Sequence, residues 1–128
     1  MITEFGCCTY RGAEDKGAED KGGYGWAIVD WNIDPPQLKG THIRDEEVQA
    51  KYLTELLDIF VEEKAGGAFA FTFVMPKYPH NVDPGFDLDM ASYGLVKSYV
   101  DRKGSTYPDM PWEPKKSFSA LADYYGKL

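Results

Sequence analysis

Between residues 44 and 64 apolar side chains return every four positions: Val48, Tyr52, Leu56 and Phe60 form one line, and Leu53, Leu57 and Val61 widen it. A stripe of that period predicts a helix lying with one face on a core. Asp45, Glu46 and Glu47 stand at its start, where unbonded amides favour negative charge, and Gly66-Gly67 offers a stop. The period then changes. "AFAFTFV", 68–74, is apolar on both faces, as a parallel strand covered on two sides is. Residues 2–8 make a shorter apolar segment of strand type, and "WAIVDW", 26–31, reads as a strand or a short helical turn ended by Asp34-Pro35-Pro36. Further on, "SYGLVKSYVDRKGS" predicts a short extended piece with a turn around Arg102-Lys103-Gly104. "WEPKKSFSALADYYG", 112–126, predicts a helix with Pro114 in its first turn, Phe118, Leu121 and Tyr125 on one side and Gly126 as its C-cap.

The order is strand, long loop, helix, strand, long loop, helix, which is two βα units in one α/β domain over residues 1–128. Two parallel strands with two helices close no barrel and leave two unpaired edges. The expected fold is therefore a partial TIM barrel, two βα units with long βα loops. Its sheet would be completed by self-association or by a missing N-terminal part.

Composition narrows what such a domain does. With 43% hydrophobic and 27% charged residues a packed core is expected, and 9 Tyr, 7 Phe and 3 Trp are enough to line a sugar cleft or an interface. A net charge of -7 with no long Lys/Arg cluster argues against a nucleic-acid partner. The adjacent Cys7 and Cys8 staple no loop and match no zinc spacing, so buried small hydrophobes and a reducing, cytoplasmic setting are expected. The longest uncharged run is about half a membrane span, and the first residues lack the pattern of a signal peptide, so no membrane contact is expected. The tandem GAEDK at 12–16 and 17–21 suits an exposed loop tip.

Candidate chemistry gathers in three places. Glu4 stands in the first strand, with Tyr10 and Arg11 just after it to orient its charge or clamp a substrate hydroxyl. Trp26 and Trp31 are five apart, so in a strand at most one of them faces a pocket for stacking on a sugar. The richest polar cluster is "KYPHNVDPGFDLD", where His80 lies near Asp83, Asp87 and Asp89. Asp87 and Asp89 would share a side if the segment were extended. The spacing fits neither a calcium loop nor a zinc site, so no metal and no cofactor is expected. His42, just before the long helix, is expected to be ordinary.

The stretches "ITEFGCCTYRGA", "GGYGWAIVDW", "AFAFTFV", "DLDMASYGLVKSYVD" and "YPDMPWEPKKSFSALADYY" together resemble the C-terminal quarter, strand seven to helix eight, of a (β/α)8-barrel of the retaining glycoside hydrolase type. They more closely resemble microbial barrel proteins labelled abortive phage infection proteins. The resemblance implies that Glu4 holds the nucleophile position at the end of strand seven; Tyr10, Arg11, Trp31, His80 and Asp89 are, from their own chemistry, the expected substrate-binding residues. Retaining hydrolysis also needs a carboxylic acid about 5–5.5 Å from the nucleophile. The relatives supply it from strand four, which the resemblance puts outside these residues. The implied function is a glycoside hydrolase-like barrel fragment, inactive alone, with self-association or a complementary barrel portion as partner. The alternative is a non-catalytic α/β module that binds carbohydrate or protein.

Overall fold

The computed structural model describes residues 2–13, 28–70 and 72–127, and for residues 2–4 the backbone alone. Among these residues the fold is mixed α/β. Strand β1 (Ile2–Phe5) is followed by a short antiparallel pair, β2 (Val29–Asp30) with β3 (Gln37–Leu38), and then by helix α1 (Glu46–Glu62). Strand β4 (Ala68–Ala70) runs parallel to β1, pairing Ile2 with Ala68 and Phe5 with Ala70. Two short 3-10 turns, Pro84–Phe86 and Leu88–Ala91, lead to an antiparallel pair, β5 (Val96–Ser98) with β6 (Trp112–Pro114), and helix α2 (Lys116–Gly126) closes the order.

Helix α1 forms where the four-residue period predicts it, and Asp45 caps it by accepting from the amides of Glu47 (3.1 Å) and Val48 (3.3 Å). Its deepest positions are Gln49, Ala50, Leu53 and Leu57, one step round from the line Val48–Tyr52–Leu56–Phe60. The shift follows from α2, which packs along α1 and buries Leu121 against Leu53 and Leu57. With Phe5, set edge-on to Phe60 at 5.3 Å, these side chains form one of two cores. Each such burial stabilises by about 1.5–3 kcal/mol.

The stop of α1 is not at Gly66-Gly67. Lys64 takes the left-handed conformation (φ 57), its amide donates to Val61 O (3.1 Å), and the Ala65 amide donates to Phe60 O (2.9 Å). That is a Schellman closure made with lysine where glycine is usual. Three further expectations are corrected. Residue 5, not 8, ends β1, because the chain then turns into buried contacts with Ala91 and Gln49. Pro114 belongs to β6, where it needs no amide hydrogen, and α2 begins two residues later. Gly126 is the last helical residue, and Lys127 is the C-cap.

The strand β4 is also shorter than "AFAFTFV" suggested, and it is not covered on both sides. Ala68 and Ala70 pack toward α1 and α2, whereas Phe69, on the opposite face, is 60% exposed. Residues 14–27, which include most of the GAEDK repeat and Trp26, lie outside the described residues, as does the side chain of Glu4.

Candidate functional site

Both helices begin at the same end of the molecule, beyond the carboxyl end of β1, and the segment after β4 returns there. Ligand sites in α/β folds gather at that end of parallel strands. Three contacts bring the pieces together: the Thr9 amide donates to Met90 O (3.0 Å), the Asp45 amide to Thr9 O (3.1 Å), and the Asp89 amide to Pro79 O (3.2 Å).

Arg44 sits at the centre. Its Nη1 donates to Asp89 Oδ2 (2.8 Å) and Asp87 Oδ2 (3.2 Å), and its Nη2 to Glu46 Oε2 (2.8 Å). Burial alone would pull the guanidinium down, but Asp89, Asp87 and Glu46 together hold it above its ordinary value. Behind Asp89 lies Lys115, fully buried, with Nζ 3.1 Å from Asp89 Oδ2 and donating to Thr9 Oγ1 (2.9 Å). Burial pulls its ammonium below the usual lysine value, against the opposing attraction of Asp89. Asp89 Oδ1 is buried without a hydrogen-bond partner among the described residues. Glu46 is drawn the other way. Burial raises its carboxyl, but Arg44, the Lys116 amide (2.9 Å to Oε1) and Lys97 together lower it.

A second layer ties the ends down. Gln49, completely buried, donates through Nε2 to Cys7 O (3.2 Å), Tyr93 O (3.4 Å) and Gly94 O (3.0 Å), and its Oε1 accepts from Ser117 Oγ (2.8 Å). A buried amide is tolerated in a core only when satisfied in this way.

His80 faces outward from this cluster. Its Nδ1 lies 3.0 Å from Asp87 Oδ1, which also accepts from the Asn81 amide (3.3 Å). A carboxylate accepts, so the proton of that contact is on Nδ1, and in the neutral imidazole Nε2 is the acceptor. Nε2 has no protein partner among the described residues. His80 lines a cavity of about 430 Å³ together with Arg44, Asp87, Asn81 and His42. That volume lies in the range of small-molecule sites.

The residues singled out from the sequence fall into different places. His80 and Asp89 belong to one network, His80 at its open edge and Asp89 locked behind Arg44 and Lys115. Asp87 and Asp89 reach the same guanidinium from consecutive 3-10 turns, not from an extended strand. Tyr10 is buried edge-on to His42 (4.9 Å), and Arg11 is exposed and 3.6 Å from Asp45. Trp31 packs edge-on to Tyr78 (5.5 Å) and does not line the cavity. Cys7 and Cys8 are fully buried, and burial holds the Cys8 thiol well above its usual value. His42, expected to be ordinary, lines the cavity with its Nε2 2.8 Å from Lys39 O.

Arg44 and Lys115 were not legible as site residues. One reads as the start of a helix and the other as an early residue of the predicted last helix. No protein-family model matches the chain, and no curated protein matches it at a significant level. Among the described residues no helix is long and apolar enough to cross a membrane.

Proposed function

We propose that this chain carries one wall of a carbohydrate-directed, glycoside hydrolase-like site, in a partial (β/α)8 barrel completed by a second copy or by complementary barrel strands. By itself it binds sugar hydroxyls and does not cleave the glycosidic bond. The observation that carries the reading is the Asp87–His80 pair, which turns an unpartnered Nε2 to the edge of a cavity at the carboxyl end of β1. Such a nitrogen accepts from a hydroxyl, while the neighbouring Asn81 offers a donor. Asp87, Asp89 and Glu46 already face Arg44, Lys115 and Lys97, so the wall favours a neutral polyol over an anion.

In this reading Glu4 is the nucleophile. Its acid partner is not Asp87 or Asp89, because the carboxyl groups of both are taken up by the Arg44 guanidinium. The exposed Phe69 on the open face of the parallel pair supports the need for completion, since parallel sheets are covered on both faces.

The test is a titration of the full chain with glucose, galactose, mannose and xylose, read at the imidazole nitrogens of His80 by NMR and paired with an aryl-glycoside assay. At least one sugar is expected to shift His80 in the wild type and to bind more weakly to His80→Gln, without turnover. Silence at His80 across the panel overturns the binding role. Turnover by the chain alone overturns the claim that it does not cleave, and turnover that survives Glu4→Gln overturns the assignment of Glu4 as well.

A further inference from the structure

On the other side of the His80–Asn81–Val82 wall lies a second cavity, of about 220 Å³, lined also by Tyr99, Asp101 and Arg102. The two cavities share those three wall residues, so a ligand held at His80 in one stands beside the opening of the other. The wall is fixed. The His80 amide donates to Ser98 O (2.8 Å) on β5, and the Tyr99 amide donates to Pro111 O (2.8 Å) beside β6.

The lining has a definite chemistry. The Arg102 guanidinium lies 4.2 Å from the centre of the Tyr99 ring, an arrangement that restrains the fork and leaves its N–H groups without a carboxylate partner among the described residues. Asn81 Oδ1 already accepts from the Asp83 amide (2.9 Å), which leaves its NH2 as donor. Asp101 supplies an acceptor of opposite charge to Arg102. Fixed donors and an acceptor around an aromatic ring, without net charge, match vicinal hydroxyls and not a phosphate or carboxylate.

We infer that the second cavity is a second sugar subsite, and that the ligand is an oligosaccharide of at least two neutral units crossing at His80. The inference rests on the carbohydrate reading above and adds to it the length of the ligand and the role of Arg102.

The experiment compares each of the four monosaccharides with its α- and β-linked disaccharides, on the full chain labelled with 15N. The disaccharide that binds is expected to do so at least about tenfold more tightly than its monosaccharide. It should also shift the Arg102 Nε–H signal, which the monosaccharide leaves in place. Arg102→Ala, at an exposed position, should bring that affinity ratio down toward one. A monosaccharide that shifts His80 while no disaccharide binds more tightly overturns the second subsite and leaves the first reading standing. So does a ratio unchanged in Arg102→Ala. No shift at His80 with any sugar overturns both.

Discussion

The parallel pair β1–β4 is finished very differently at its carboxyl end and on its open face. At the end, buried charged and polar groups are satisfied: Arg44 by three carboxylates, Lys115 by Asp89 and Thr9, Gln49 by four partners. On the face, Phe69 of β4 is left 60% exposed. Desolvated ions are expensive unless paired, so the polar end is held in one arrangement. An exposed phenyl ring costs little locally and keeps its burial free energy in reserve for whatever covers it. The comparison separates the end that this chain completes by itself from a face that, in the proposed reading, another element completes.

Substitution at the two places should therefore give opposite patterns. Lys115→Met removes the buried ammonium and leaves Asp89 with Arg44 alone, and the expected loss is about 3–5 kcal/mol in urea unfolding. A loss below about 1 kcal/mol, the level of an exposed ion pair, would mean that the polar end is no better built than a surface.

The acid side of stability should show the same end. The Glu46 carboxyl is lowered in the folded chain, so its contribution is present above its ordinary value of 4.5 and is lost as pH falls through the lower folded-state value. Unfolding free energy measured from pH 6 down to pH 3, a span that brackets the ordinary carboxylate range, should fall less steeply in Glu46→Gln than in wild type. Parallel curves would remove Glu46 from the network.

The smallest effect on stability is expected at the open face. Phe69→Lys should change the unfolding free energy by no more than about 0.5 kcal/mol, as exposed positions do. Its effect should be on mass. The wild type is expected to scatter light as an assembly, and the variant as a single chain of 14.4 kDa. A wild type that already has the mass of one chain would take self-association away from the proposal.

What was legible in the sequence follows the same division. Local period is written in neighbouring residues, so α1 and the helical order could be read directly, whereas Asp45, expected in the first turn, is the cap. The stop of α1 was misread because glycine is the usual left-handed residue, and here tertiary contacts hold Lys64 there. The polar cluster around His80 was visible as composition. Its organiser was not, because Arg44 meets Asp87 and Asp89 across 43 and 45 residues and no local pattern encodes that meeting. Lys115 was hidden for a related reason. It and Lys116 are adjacent and chemically identical, yet the turn into α2 sends one inward to Asp89 and the other outward to Glu47.

The amide of Gln49 also bears on how the chain reaches its fold. It takes hydrogen bonds to Cys7, Gly94 and Ser117, which lie 42, 45 and 68 residues away along the chain. None of those loops is rewarded by this side chain until it has closed, and closing each costs chain entropy first. The cavity end should thus assemble late and all at once, after α1 has formed. A nick or truncation that frees any one of those segments would loosen the other two with it.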